Sequence, residues 1–142
     1  MQSTDITHLI QLAVAPVFLL SGVGVTLGVL TNRLARIVDR ARLAEKEMHA
    51  GSGDARALER LLGVLRRRAR HINFAIAAST VSAVLVSLCV VMLFVHALSG
   101  VTLTTAIAVA FVGSMLSLTA GLVAFLVEVR ISMATLRIGG ER

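Results

Sequence analysis

The chain has no tryptophan or tyrosine, and it has one cysteine and one proline among 142 residues. Without tryptophan and tyrosine it cannot form the aromatic belt that usually anchors a membrane protein at the bilayer interface. Arginine and histidine side chains would have to take over this role. The single cysteine, Cys89, excludes an intramolecular disulfide and any multi-cysteine metal site. We therefore expect no metal centre, and Cys89 is expected to pack as a small hydrophobic residue.

Sequence motifs of common catalytic sites are also missing. The chain has no HExxH zinc motif, no GxxxxGK[ST] phosphate loop and no nucleophile elbow. We therefore predict that the protein is not an enzyme and uses no cofactor. The middle of each long apolar stretch lacks Asp, Glu, Lys, Arg and His, whereas ion-coupled carriers usually place an ionisable group there. Coupled transport is therefore disfavoured.

Three long apolar stretches make up most of the chain. They cover residues 9–30, 72–98 and 101–127, and each exceeds the roughly 20 residues that a membrane-spanning helix needs. Little room is left for a separate catalytic domain, so we expect a single membrane domain over residues 1–142. The predicted fold class is an all-α integral membrane protein with three transmembrane helices.

The distribution of positive charge predicts the orientation. Residues 33–70, called the basic segment below, contain 11 of the 14 lysines and arginines, and the positive-inside rule places such a segment in the cytoplasm. The N-terminus is then outside and the C-terminus cytoplasmic, in a multi-pass protein of the cell inner membrane. The N-terminus carries Asp5 and no lysine or arginine before the first stretch, so it lacks the positive n-region of a cleavable signal peptide. The membrane topology accounts for the net positive charge of +6, so no nucleic acid partner is expected.

The basic segment has two apolar stripes with heptad spacing, separated by a Gly-Ser-Gly-Asp sequence at positions 51–54. The glycines there can adopt positive φ and Asp54 can cap a new helix. We therefore predict a cytoplasmic antiparallel helical hairpin between the first and second spans, with each arm continuing a span. The stripes are Leu34, Ile37, Ala41, Ala44 and Met48, and then Leu58, Leu62, Leu65, Ala69 and Ile72.

Seven arginines of the basic segment are candidates for contact with an anion or an anionic lipid headgroup. Three share one face of the first arm, and four form a denser group with little acidic balance just before the second span. An acidic protein partner is a further candidate, and a solvated basic face near anionic headgroups would explain the same pattern. The seven are Arg33, Arg36, Arg40, Arg66, Arg67, Arg68 and Arg70.

Small residues in two spans are candidates for helix packing. Gly24 and Gly28 form a GxxxG pair in the first span, and Gly113, Ser117 and Gly121 repeat the spacing in the third. Small residues at this spacing let a second helix approach closely. A three-helix bundle can use only some of these faces internally, so the surplus favours a homo-oligomer.

Polar residues of the second span are candidates for lining a pore. Asn73, Thr80 and Ser87 lie seven residues apart, on one helical face over roughly 21 Å. A ring of subunits could turn this face toward a water-filled path. Hydrogen bonding between helices is the alternative explanation.

The sequence PVFLLSGVGVTLGVLTNRLARIVDRARL, residues 16–43, resembles the opening of a family of small bacterial membrane proteins known as domain of unknown function 2721. The similarity extends along the chain through the basic segment to the closing pair of helices. The resemblance implies the same topology and no particular activity, because none is attached to the family.

Two functions are consistent with these features. The first is a homo-oligomer that forms a passive ion channel or pore, with arginines of the basic segment lining a cytoplasmic vestibule that favours anions. The second is a non-conducting scaffold or accessory subunit whose basic segment binds a partner protein or anionic lipid.

Overall fold

A computed structural model of the chain describes residues 3–51 and 54–137. The described residues form the α-helices α1 (Ser3–His49), α2 (Ala55–Ser99) and α3 (Thr104–Arg137). All three are long and apolar enough to cross a membrane, with candidate spans within Ile10–His49, Ala55–Ser99 and Thr104–Ser132. The prediction of an all-helical protein with three helices of membrane-spanning length and composition is confirmed.

Each of the first two helices contains an apolar stretch and one arm of the basic segment without a break between them. α1 has 47 residues and continues through Pro16. At 1.5 Å per residue its contour length is about 70 Å, more than twice the ~30 Å thickness of a hydrocarbon core. α2 has 45 residues. Both helices therefore continue well beyond the length that one membrane crossing needs, as the sequence predicted.

The end of α1 and the start of α2 have the local geometry expected from their residue types. Gly51 has a φ of +66°, a left-handed conformation that glycine adopts without a steric penalty, and its N–H donates to the Met48 carbonyl at 3.3 Å. Asp54 caps α2, because its Oδ1 accepts a hydrogen bond from the Arg56 N–H at 3.0 Å. The predicted roles of Gly51 and Asp54 are thus confirmed, whereas Gly53 lies outside the described residues.

The connection between α2 and α3 is slightly longer than the third apolar stretch suggests, because α3 begins at Thr104 rather than at position 101. Gly100, with a φ of +69°, ends α2 by donating its N–H to the His96 carbonyl at 3.2 Å. The Nδ1 atom of His96 also lies 2.5 Å from the Val101 carbonyl oxygen and 3.4 Å from the Leu103 nitrogen. These contacts hold the connection against the last turn of α2.

The chain divides into two compact units. The first unit contains the described residues up to Leu27 together with Ala78–Ala120. Here α3 packs on α2: the Ser117 hydroxyl donates to the Ala78 carbonyl at 2.7 Å, and the Cys89 thiol lies 3.6 Å from the Ile107 carbonyl oxygen. The fully or almost fully buried side chains of this unit include Val23, Ser79, Ser82, Val86, Cys89 and Ser114.

The second unit contains Gly28–Ala77 and the described residues from Gly121 onward. Its core is built from the two heptad stripes, whose ten members are all buried or half-buried. Near the start of α2, Leu58 and Leu62 form a cluster with Ala44, and Met48 packs against it. A second cluster consists of Leu30, Ile37, Leu65, Ile72, Ala75 and Ala124. The sequence periodicity therefore predicted correctly which faces of α1 and α2 are buried.

Candidate functional site

A buried carboxylate is the central feature of the second unit. The Glu128 side chain on α3 is 0% exposed and accepts hydrogen bonds on both oxygens. Arg33 on α1 donates from Nη1 to Oε2 at 3.0 Å, while Arg68 on α2 donates to Oε1 from Nη2 at 2.8 Å and from Nε at 3.2 Å. Ser132, one turn further along α3, donates to Oε1 at 2.8 Å and accepts from Arg68 Nη2. We call these four residues the Glu128 cluster.

The environment of the cluster favours strong charge-assisted hydrogen bonds. Removing a carboxylate from water costs several kcal/mol, and partners with good geometry are needed to offset that cost. The Arg68 side chain is only 18% exposed, so its pair with Glu128 is less screened by solvent than the pair with Arg33, which is 41% exposed. The Arg33 guanidinium carbon also lies 5.1 Å from the centre of the Phe125 ring, a cation–π distance.

The helical repeat explains how both arginines reach Glu128. Each arginine follows one buried residue by three positions and precedes another by four, so it lies on the core-facing stripe of its helix. Glu128 lies four positions after buried Ala124 and seven after buried Gly121, and so shares their stripe on α3. The buried neighbours are Leu30 and Ile37 around Arg33, and Leu65 and Ile72 around Arg68.

A cavity of about 240 Å³ lies beside the cluster and is lined mainly by arginine. In addition to the cluster residues, Arg36, Ile37 and Arg40 contribute to its wall. Arg36 and Arg40 are exposed, and neither makes an ion pair or a side-chain hydrogen bond in the described part of the chain. Of the seven arginines singled out in the sequence, the structure thus brings four together around one carboxylate.

The other three arginines lie apart from the cavity lining. Arg66, Arg67 and Arg70 are exposed on α2, and no ion pair involves them among residues 3–51 and 54–137. They present positive charge to the surroundings of the second unit.

The three candidates for lining a pore lie outside the packed cores. Asn73, Thr80 and Ser87 are all exposed on α2. The Ser87 hydroxyl donates to the Ala83 carbonyl of its own helix at 2.9 Å. These positions are therefore open to lipid or to another molecule.

The two small-residue stripes are used differently. On α3, Gly113 packs near Leu85 and Ser117 bonds to α2, while Gly121 is buried in the second unit. On α1, Gly24 and Gly28 are exposed, and apart from the adjacent residues and backbone of α1 itself no described atom lies within 4 Å of where a Cβ would be at either position. Within residues 3–51 and 54–137 the α3 stripe is used for packing, and no helix lies against Gly24 and Gly28.

Sequence reasoning missed the partners of Glu128 and the buried serines. Ser79 and Ser82 are fully buried in the first unit, and their hydroxyls have no hydrogen-bond partner among the described residues. Glu128 did give a signal, because it is the only acidic residue between Glu59 and Glu141 and it ends an apolar stretch. Among the described residues no group of three His, Cys, Asp or Glu side chains is placed to hold a metal ion.

Comparison with known proteins gives a family and no assigned activity. Residues 13–138 match the family model described as protein of unknown function (DUF2721). Comparison with curated proteins and with solved structures found no match. The matched region contains all of α2 and α3, α1 from residue 13 onward, and the Glu128 cluster. Because it covers most of the 142 residues, the chain belongs to the DUF2721 family.

Proposed function

We propose that the protein is a homo-oligomeric inner-membrane protein that forms a passive conduction path between subunits. In this proposal the N-terminus is outside, the C-terminus is cytoplasmic, and the basic segment forms a cytoplasmic antiparallel helical hairpin. The concentration of 11 of the 14 basic residues in that segment supports the orientation. Contacts of Leu58 and Leu62 with Ala44 support the hairpin.

The observation that carries the proposal is the exposure of Asn73, Thr80 and Ser87 on α2. Polar groups facing hydrocarbon are unfavourable unless a partner or water satisfies them. Ser87 meets this need within its own helix, but the Asn73 amide has no hydrogen bond in the part of the chain that the structure describes. A face shared between subunits would give the Asn73 amide water or a group of a second copy as its partner.

The exposed small residues of α1 support the association of subunits. Exposed glycines at positions 24 and 28 offer a close approach to another helix, and the chain has no helix against them among the described residues. A second copy could take that place. The absence of an ionisable side chain in the middle of the apolar stretches fits a passive path rather than a coupled carrier.

Subunit number and flux test the proposal together. We expect native mass spectrometry in lipid to give four or more subunits, because three mostly apolar helices cannot enclose a water-filled path. We expect Thr80→Leu to reduce ion flux in liposomes, because it places a larger apolar side chain on the polar face. Val81→Leu is the matched control, since it adds bulk to the neighbouring exposed position. A monomer or dimer in lipid, or equal flux changes in both variants, would exclude this path.

The second candidate is a non-conducting scaffold whose basic segment binds an acidic partner protein or an anionic lipid surface. The exposure of Arg66, Arg67 and Arg70 on α2 favours it. In this case Arg66→Glu with Arg67→Glu should abolish crosslinking to the partner in native membranes while leaving insertion intact. Arg68 is left unchanged in the variant because it is bound to Glu128. Retained crosslinking would exclude docking through these arginines.

A further inference from the structure

The cavity beside the Glu128 cluster carries an excess of positive charge. Four arginines and one glutamate line it, so its walls sum to +3 when all five are ionised (four positive charges less one negative). Guanidinium groups gathered around one space repel one another unless an anion lies between them. Glu128 neutralises one of the four charges, and three remain.

The cavity is preformed because two of its arginines are already fixed in position by Glu128. Arg33 and Arg68 are each fixed by Glu128, and Arg68 is held also by Ser132. Their conformational freedom is therefore already reduced before any ligand arrives, which lowers the entropic cost of binding. Each bonds to Glu128 through only part of its guanidinium, so further N–H donors remain for a second acceptor.

The other two arginines supply free donors. Arg36 and Arg40 lie one helical turn apart on α1, and the described residues give them neither an ion pair nor a side-chain hydrogen bond. Planar guanidinium groups match the oxygens of phosphate with two parallel hydrogen bonds. The cavity thus combines two arginines held by a buried carboxylate with two that have free donors.

We propose that this cavity binds one tetrahedral oxyanion, either free phosphate or the phosphate of an anionic lipid headgroup. A volume of about 240 Å³ is below the ~300 to 1,000 Å³ of typical organic ligand pockets, so it suits a small anion with some water. The residues that contact the anion are Arg36, Arg40 and the free donors of Arg33 and Arg68. This inference goes beyond the proposed function, because it does not require the protein to conduct or to form an oligomer.

Binding experiments on the full chain test the inference with two probes. Inorganic phosphate is titrated into the detergent-solubilised protein by calorimetry. Separately, native mass spectrometry counts lipids retained from nanodiscs of phosphatidylcholine alone or of phosphatidylcholine with phosphatidic acid. We expect one bound anion per chain from at least one probe. Binding of phosphate identifies a free anion as the source, and retention of phosphatidic acid alone identifies a headgroup.

Two double variants with the same loss of charge separate the cavity from the general surface. Arg36→Gln with Arg40→Gln should weaken binding at least tenfold, equivalent to about 1.4 kcal/mol. Arg66→Gln with Arg67→Gln should change it less than about threefold, because exposed charges outside the cavity are screened by salt. Neither variant touches the ion pairs of Glu128, so folding is preserved.

Three outcomes would overturn the inference. The first is that neither phosphate nor phosphatidic acid binds the wild-type protein. The second is that the two double variants lose affinity equally, which would indicate diffuse attraction by the basic segment. The third is binding that does not saturate at one anion per chain.

Discussion

Removing the Glu128 carboxylate is expected to destabilise the protein more than removing any exposed acid. Glu128→Ala leaves Arg68, only 18% exposed, with Ser132 as its remaining partner in the cluster. Deleting one partner of a buried ion pair typically costs ~3 to 5 kcal/mol. The side chain of Arg33, the other partner, is 41% exposed, so water can solvate its guanidinium when Glu128 is removed. The loss of the Arg33 ion pair therefore contributes little to the loss of stability. We therefore expect a loss of about 3 kcal/mol, at the lower end of that range.

Reversible unfolding in mixed micelles, followed by circular dichroism, measures this loss. Asp39→Ala is the matched control, because Asp39 is exposed on α1 and makes no ion pair in the described part of the chain. Its effect should stay within about 0.5 kcal/mol, as for most surface substitutions. Replacing both members of the buried pair, Arg68→Met with Glu128→Leu, should recover much of the loss, since apolar residues of similar size need no partner.

A swap of neighbouring residues separates geometry from charge. Val127→Glu with Glu128→Val keeps composition and net charge but turns the carboxylate by about 100° around α3. It should lose as much stability as Glu128→Ala, because neither arginine can then be reached in the same way. If the swap is as stable as the wild type, or if Glu128→Ala costs no more than Asp39→Ala, the reasoning about the cluster is wrong.

Four further substitutions test other contacts by the same unfolding measurement. Ser79→Ala and Ser82→Ala should be neutral or stabilising, because each removes a buried hydroxyl without a partner among the described residues, and a clear loss would reveal a missed hydrogen bond. Ser117→Ala should cost roughly 0.6 to 2 kcal/mol through its bond to the Ala78 carbonyl, and no loss would make that bond energetically irrelevant. Gly51→Ala should cost about 1 to 2 kcal/mol in the left-handed conformation, whereas an unchanged stability would mean that the turn readily adopts another geometry.

The helices and their buried faces could be predicted because both depend on local patterns. A run of apolar residues indicates a span by its length, and heptad spacing indicates which side of a helix is covered. Positions such as Ile37 and Leu65 are buried as their periodicity predicted. The turn residues Gly51 and Asp54 also act through their own conformational preferences. These features require no knowledge of distant residues.

The Glu128 cluster could not be predicted in the same way. Its ion pairs join residues 95 and 60 positions apart, and periodicity shows which face a residue occupies without naming its partner. Arg33 and Arg68 belong to a group of seven similar arginines, and composition alone does not distinguish those that turn inward. The buried serines pose the same difficulty, because small polar residues are compatible with both packed and exposed positions in membrane helices.

The arrangement around Glu128 does more than neutralise charge, because it defines the relative register of three helices in the second unit. One carboxylate oxygen is bound to α1 through Arg33 and the other to α2 through Arg68. The apolar contacts of the same unit, among residues such as Leu30 and Ile72, are non-directional, so a sliding helix could exchange one for another. Hydrogen bonds to a buried carboxylate have no such replacement, because a shifted helix would leave a charge without a partner. A single acidic residue at the end of an apolar stretch therefore specifies an alignment that the many apolar residues around it leave open.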